Sequence, residues 1–306
     1  MASTHLVVGA GAVGSALALQ LVASGAEVTV VTRSGGGPSA DGIRRVAADA
    51  SSVEELLAAL PTADAIHNCA NPPYHRWPQQ WPPMAAAFLG YAERTGAVLV
   101  TCSNLYGYGP VDGPLTDDLP LAAAGTKGRV RARMWQDAKA AHDAGRVRAT
   151  EVRGSDYLCE GAQSRMGDRV MPRVLAGKAV QVVGRTDTAH PWTAPADVAR
   201  LMAVAAADPR AWGGAWHVMS NPARTQREVV DELADSAGVS RVKVSSVPAA
   251  LLRGLGLFNP AIRELRETDY QFARPYLLDD SRTRSVLGLA PTPWATLLAD
   301  QVAAYR

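Results

Sequence analysis

Cysteine is scarce in this chain and one-sided charge is missing, and each shortage removes a class of protein. The three cysteines, Cys69, Cys102 and Cys159, are odd in number, far apart, and without the paired short spacing of a zinc site. No disulfide framework and no metal site are therefore expected, and a reducing cytoplasm suits free thiols. The formal net charge is only +2 and the basic residues are spread along the whole length, so nucleic acid is not an expected partner. Charge is absent altogether from Leu6 to Ala26, a stretch that hydropathy alone would read as a membrane span or a leader. It has no basic segment ahead of it and glycines interrupt it. The expectation is a strand, a turn and a helix, retained in a soluble protein with no membrane attachment.

What is present supports a large core. Of 306 residues, 47% are apolar and 20% charged, enough to bury an interior without covalent staples. Short apolar runs alternate with helical patterns, the signature of a parallel sheet covered by helices. Strands are expected at Leu6–Val8, Val28–Val31, Arg45–Ala47, Ala65–Asn68, Val98–Thr101 and Thr150–Arg153. Helices are expected at Val13–Ser24, Val53–Leu60, Pro83–Thr95 and Lys127–Ala144. The pattern then becomes mixed: strands at Val180–Val183 and Trp216–Met219, with a helix at Val198–Ala206. The fold class read from this is α/β, a Rossmann doubly wound parallel sheet with a smaller mixed α/β C-terminal substrate domain. The division expected is 1–160 for dinucleotide binding and 161–306 mainly for substrate, with some later segments returning to the sheet.

Gly9-Ala-Gly11-Ala12-Val13-Gly14 follows a strand and opens a helix, the context that makes this spacing a phosphate-binding turn. One glycine makes the tight turn, the next admits a pyrophosphate to backbone N–H groups, and the third lets the helix pack on the sheet. The next strand ends Thr32-Arg33-Ser34, where an NAD-binding chain usually places an acid for the ribose 2′-hydroxyl. No carboxylate stands there. Arg33 offers instead a charged planar fork suited to a 2′-phosphate, so NADP(H) is expected in preference to NAD(H). Asp49, at the end of the third strand, is a candidate contact for the adenine amino group or a helix N-cap.

Further pieces in order are Asn68-Cys69-Ala70-Asn71, Val100 through Gly107, Pro114 through Pro120, Arg153 through Tyr157, His190 through Ala199, Pro275 through Asp279, and Leu287 through Thr292. Together with the glycine turn they resemble the extended and atypical short-chain dehydrogenase/reductases, the superfamily of NAD(P)-dependent epimerases, dehydratases and carbonyl reductases. The resemblance covers nearly the whole chain. It implies cofactor contacts at Cys69, Ala70 and Asn71. It also implies a serine or threonine that orients the substrate oxygen, a tyrosine that exchanges its proton, and a lysine four residues later that binds the nicotinamide ribose.

Lys127 matches the lysine, but Ala123 stands where the tyrosine belongs. Ser103 is the expected orienting hydroxyl, with Cys102 and Thr101 as alternatives. Tyr106 is the first substitute phenol, activated by Lys127, followed by Tyr108 and Tyr157. Tyr74, Tyr108, Asp156, Tyr157 and His190 are expected to line the substrate site. The segment from Asn71 to Trp77 reads either as a loop closing over the nicotinamide and that site or as a rigid surface loop. Lys127, Arg131, Trp135 and Lys139 share one helix face at i, i+4 spacing; beyond Lys127 that face is expected to be solvated or to form a dimer contact.

The leading functional expectation is NADPH-dependent reduction of a small or medium carbonyl compound. One alternative is a sugar-nucleotide epimerase or dehydratase with a retained cofactor, for which Arg165, Arg173, Arg185 and Arg263 are candidate nucleotide contacts. Another is a catalytically silent NADP(H)-binding sensor. A homodimer and a small-molecule substrate are the expected partners.

The cofactor reading generates a test. Arg33→Ala should weaken NADPH binding about ten- to hundredfold, the loss of a charge-assisted pair of roughly 1.5–3 kcal/mol, and leave NADH nearly unaffected. Equal losses for both dinucleotides in titration calorimetry would remove the argument.

Overall fold

The computed structural model describes residues 2–161, 164–258, 263–264 and 266–306. The charge-free N-terminal stretch divides as expected. Strand β1 (Thr4–Val8) runs into helix α1 (Ala12–Ala23) through the glycine turn. Among the described residues no helix is long and apolar enough to cross a membrane.

Strands β2 (Glu27–Thr32), β3 (Ile43–Ala47), β4 (Ala65–Asn68), β5 (Val98–Asn104) and β6 (Arg148–Gly154) follow, and a late strand, β10 (Ala215–His217), joins them. Together they form a seven-stranded sheet in the order β10-β6-β5-β4-β1-β2-β3, with every neighbouring pair parallel. Buried on both faces, these strands are apolar runs rather than alternating ones. Sequence order reverses at β1, which lies between β4 and β2, and doubly wound folds bind ligands above such a reversal.

One face of the sheet packs against α1 and α6 (Pro195–Ala207), where Val13, Leu17 and Leu21 meet Val198, Leu201 and Met202. The other face packs against α2 (Val53–Ala59), α3 (Trp77–Thr95) and α4 (Thr126–Asp143) through Leu56, Trp77, Trp81, Phe88, Tyr91 and Met134. Each fully buried side chain of this size contributes about 1.5–3 kcal/mol of transfer free energy. A separate cluster forms around the short parallel pair β8 (Val180–Val182) and β11 (Val244–Ser246), α5 (Met171–Leu175), α7 (Gln226–Ala237) and the helix Trp294–Ala303. A second short pair joins β7 (Asp156–Tyr157) to β9 (Trp192–Thr193). Since α6 and β10 come from beyond residue 160 yet complete the main sheet, the chain crosses between the two clusters more than once.

Helix α3 departs from expectation. It begins at Trp77 and runs through Pro82 and Pro83, where the prolines suggested a start. Trp77 and Trp81, both 0% exposed, anchor the early turns, and their burial outweighs the backbone bonds that the prolines cannot make. The segment read as a loop thus contains a 3-10 turn (Tyr74–Arg76) leading into a packed helix.

Tyr108 lies in a second 3-10 turn (Tyr106–Tyr108) and is enclosed. Arg153 Nη1 donates to Tyr108 Oη at 2.6 Å, and Tyr108 Oη in turn bonds His217 Nε2 at 2.7 Å. His217 Nδ1 reaches the Asp279 carbonyl at 2.8 Å. That carbonyl only accepts, so Nδ1 carries the hydrogen and Nε2 accepts from the phenol. Glu151 completes the run, its carboxylate 2.6 Å from Arg153 Nε. These bonds join β6, the loop after β5, β10 and the segment approaching Asp279. Burial pushes the Tyr108 phenol up to about 12 even though Arg153 opposes it.

Two expectations follow. Tyr108→Phe leaves Arg153 and His217 each short of a partner and should lower the free energy of unfolding by about 1–3 kcal/mol. Urea titration should show a lower midpoint at unchanged slope, and an unmoved midpoint would count against the network. The second concerns acid. Burial lowers His217 to about 4 and also lowers His5 and His67, whose rings meet at 3.0 Å. The unfolded chain binds protons first as pH falls through ~6.5, so this stability is full above that value and is lost on descent towards about 4. Urea titrations at stepped pH should show the decline, and His217→Gln should make it shallower; a flat profile across that window would contradict this account.

Candidate functional site

The crevice opens above Val8 and Asn68, register neighbours at the ends of β1 and β4. Gly9 adopts φ +101°, and a Cβ there would lie 2.7 Å from the Cys69 carbonyl carbon. A Cβ on Gly14 would lie 2.0 Å from the Gly9 carbonyl oxygen. Both positions are closed to side chains. Gly11 is the opposite case, with nothing within 4 Å of a Cβ. It caps α1 without a side-chain bond, so the first-turn N–H groups at Ala12, Val13 and Gly14 have no side-chain partner. Ala12 is exposed at the mouth and Val13 is buried beneath it. A turn packed on two sides and open on the third, at a helix N-terminus, fits a dinucleotide pyrophosphate.

The rim bears the other expected contacts. Thr32 Oγ1 donates to the Gly36 carbonyl at 2.9 Å, folding back the glycine-rich loop. Arg33 and Ser34 are exposed, and Arg33 makes no hydrogen bond or ion pair among the described residues. Asp49 accepts from the Ser51 backbone N–H at 2.9 Å and from its hydroxyl at 2.7 Å. The cap of α2 is Ser52, whose side chain accepts from Glu55, so Asp49 is a turn residue rather than a cap. On the β4 side, the Ala70 N–H donates to Asn68 Oδ1 at 3.3 Å and Asn71 is exposed. The Cys69 thiol packs 3.9 Å from the Met202 sulfur, and burial pushes it well above its ordinary range. It is a packing group.

The expected catalytic residues reach the C-terminal edge of the sheet but are not wired together as expected. Alternation along β5 directs Cys102 towards the α6 side and Ser103 away from it. The Ser103 hydroxyl is buried without a partner among the described residues. Tyr106 bonds Tyr74, Oη to Oη, at 2.9 Å. Burial pushes Tyr106 well above the ordinary phenol value, and Tyr74 and Asp156 add to the shift. This is opposite to the lowering expected from Lys127.

Lys127 is 1% exposed, with its ammonium bonded to Glu264 and 3.1 Å from Glu267 Oε2. Glu267 also accepts from the Lys127 backbone N–H at 2.5 Å. Lys127 Nζ stands over the Tyr74 ring, 5.5 Å from its centroid. Ala123 precedes the start of α4 at Thr126, so helical i, i+4 stacking onto Lys127 does not extend to it. Its N–H bonds the Gly107 carbonyl at 3.1 Å, and its methyl occupies space that a Cβ on Gly128 would invade at 2.3 Å.

Arg131 corrects the reading of the α4 face. Neither solvated nor available to a second subunit, it is buried with its guanidinium 4.6 Å from the Trp77 ring and 4.3 Å from the Trp81 ring. Its Nη1 donates to the Cys102 carbonyl at 3.4 Å, and its Nε has no partner among the described residues. Trp135 is half-buried near Arg153, and Lys139 pairs with Asp143 at 2.5 Å.

Asp156, Tyr157 and His190 form the opposite wall. Asp156 accepts from Arg165 at 3.0 Å and bonds His190 Nε2 at 2.9 Å. Burial works to raise Asp156, but Arg165 and His190 hold it well below the usual carboxylate range. His190 stacks on Phe272 at 4.0 Å, and Arg165 lies over the same ring at 3.8 Å. Tyr157 Oη lies 3.5 Å from Cys102 Sγ, and burial pushes both groups up. Of the other arginines weighed for a nucleotide, Arg173 bonds the Ala179 carbonyl at 2.6 Å, Arg185 pairs with Asp187 at 2.9 Å, and Arg263 is exposed. The glutamates on Lys127 were not expected; their spacing carries no motif, and only the folded chain brings them back to α4.

Solved structures share this fold along the whole chain. An epimerase from Methanothermobacter thermautotrophicus is 16% identical with a TM-score of 0.80, covering 99% of this chain and 92% of the other. The dTDP-glucose 4,6-dehydratase of Bacillus anthracis, solved with NAD, is 16% identical with a TM-score of 0.77, covering 99% and 96%. The UDP-N-acetylglucosamine 4-epimerase of Bacillus cereus is 12% identical with a TM-score of 0.77, covering 100% of both. No curated protein matches this sequence. The model of the NAD dependent epimerase/dehydratase family matches residues 5–218, a span that takes in the glycine turn, the crevice and the return of the chain to the sheet at β10. The chain belongs to the NAD dependent epimerase/dehydratase family.

Proposed function

We propose that this protein acts on a nucleotide-linked sugar, epimerising or dehydrating it by transient oxidation at a carbinol carbon. The observation that carries the reading is the pairing of a dinucleotide cradle with a second cluster that aligns with sugar-nucleotide enzymes over essentially its whole length. Residues 1–160 are assigned to the cofactor and 161–306 mainly to the substrate, with α6 and β10 returning to the sheet. A bound nicotinamide dinucleotide supplies reversible hydride acceptance. The chain's own groups do the rest. Gly9, Gly11 and Gly14 give the pyrophosphate its place, and Asp156, Arg165 and His190 present a fixed polar wall to the substrate. A phenol of the crevice moves the proton in this reading.

This reading replaces carbonyl reduction as the first choice, because two of the similar enzymes named above, the dTDP-glucose dehydratase and the UDP-N-acetylglucosamine epimerase, are named for nucleotide sugars. Reduction with NADPH remains a second reading, supported by the unpaired Arg33 and the missing acid at the end of β2. Arg33 favours the phosphorylated dinucleotide, the usual reductive pool.

Purified protein supplied with NAD+ or NADP+ and a set of UDP- and dTDP-hexoses separates the two by NMR of the products. An epimer, or a keto sugar lacking one water, is the expected outcome. If every hexose is returned unchanged while simple carbonyl compounds consume NADPH, the second reading takes its place.

A further inference from the structure

Family chemistry needs a phenol near Lys127, and position 123 does not supply one. The phenols around the crevice differ sharply in what they touch. Tyr108 is consumed by Arg153 and His217. Tyr157 is turned to the Cys102 thiol on the α6 side. Tyr276 accepts from Gln271 at 3.1 Å inside a separate cluster that also holds Tyr270. Tyr74 and Tyr106 remain.

Of these two, Tyr74 is the one whose ring Lys127 stands over. It stands in the 3-10 turn just beyond β4, at the reversal of strand order, with its ring edge-on to Trp77 at 5.0 Å. Lys127 Nζ is 5.5 Å from its ring centroid. Burial is the largest influence on Tyr74 and pushes its phenol above the ordinary value, with Asp156 adding to it, while the bond to Tyr106 and the charges of Arg131 and Arg165 work the other way. For Tyr106 only Arg165 acts in the favourable sense among the principal influences. The groups facing Tyr74 are therefore Tyr106 from the loop after β5, Lys127 and Arg131 from α4, Asp156 from β7 and Arg165 beyond it, with Glu264 and Glu267 acting through Lys127.

We propose that Tyr74 is the catalytic phenol of this chain and that Tyr106, donating to Tyr74 Oη, is its positioning residue. The assignment rests on the redox reading above. In the oxidative half, the substrate O–H proton passes to the Tyr74 phenolate oxygen as the carbon-bound hydrogen leaves with its electron pair to an oxidised nicotinamide dinucleotide. The C–O bond becomes C=O. In the reductive half, the hydride returns to carbon and Tyr74 returns the proton to oxygen, so the phenolate is regenerated. The Tyr106 hydroxyl stabilises the phenolate without exchanging a proton with substrate.

The test uses two readouts, one of them independent of turnover. Near-ultraviolet absorbance follows phenolate formation on raising the pH with NAD+ or NADP+ saturating. The fixed positive charge of the nicotinamide should bring one phenol down below the rest. That component should vanish in Tyr74→Phe, persist in Tyr157→Phe, and move to higher pH in Tyr106→Phe and in Lys127→Gln, which leave Tyr74 in place. On a turned-over substrate, Tyr74→Phe should lower kcat by about 10²–10⁴ with dinucleotide affinity within about twofold. Tyr106→Phe should retain more turnover and shift the pH limb for oxidation to higher pH.

Full turnover in Tyr74→Phe overturns the assignment. So does an early phenolate that survives that substitution, or its absence from the unaltered protein. If no substrate is found but the early phenolate is lost specifically in Tyr74→Phe, the sugar-nucleotide reading has failed and the assignment of Tyr74 stands.

Discussion

The contact on which the rest of the molecule depends is one of backbone on backbone, where the turn after β1 closes on itself and on the end of β4. The Gly9 carbonyl sits where a Cβ on Gly14 would be, and Gly9 lies flat against Cys69 and Ala70. Any side chain at either position would push α1 away from the sheet. That would open the seam in which Leu17 and Leu21 meet α6 and would lift the helix N-terminus from the crevice. Core packing and anion binding are thus two consequences of one close approach.

The second organising feature is the amount of charge buried on the α4 side of the sheet. Lys127, Arg131, Glu151 and Arg153 are all nearly inaccessible, and burying ions is costly unless partners replace water. Glu151 and Arg153 satisfy each other and extend through Tyr108 to His217. Lys127 is satisfied by glutamates from a distant segment. Arg131 has aromatic faces and one carbonyl but no carboxylate at bonding distance, and its Nε is unpaired. Positive potential left uncompensated beside a crevice is what a site for anionic intermediates requires. The opposite wall has the complementary arrangement, the Asp156 carboxylate held ionised by Arg165 and His190.

Membership of the epimerase/dehydratase family explains the cradle and the strand order. The departure at Ala123 is local. Helix α4 begins after it, its N–H is committed to Gly107, and its methyl packs on Gly128. The loop after β5 and the approach to α4 have closed together around a small residue. Across the crevice, the segment after β4 has the aromatic density that position 123 lacks, with Tyr74, Trp77 and Trp81 packed around the same cations.

Local rules were enough for the framework. The glycine spacing, the period of Leu17 and Leu21, and the apolar runs of β1, β2, β4 and β5 each determine their own geometry, so the order of strands and helices was legible from residue types alone. So was the absence of an acid at the end of β2. The start of α3 was not legible, because Pro82 and Pro83 argue locally for a boundary that the burial of Trp77 and Trp81 overrides. Nor were the partners of the expected catalytic groups. Whether Lys127 faces a ribose or Glu264 and Glu267, whether a tyrosine ring lies beneath that lysine, and whether Arg131 meets water or tryptophan all depend on segments far apart in sequence. Residue type sets what a side chain can bond, whereas the packing of distant elements sets what it does bond, and in a buried polar layer that second choice decides both charge state and chemistry.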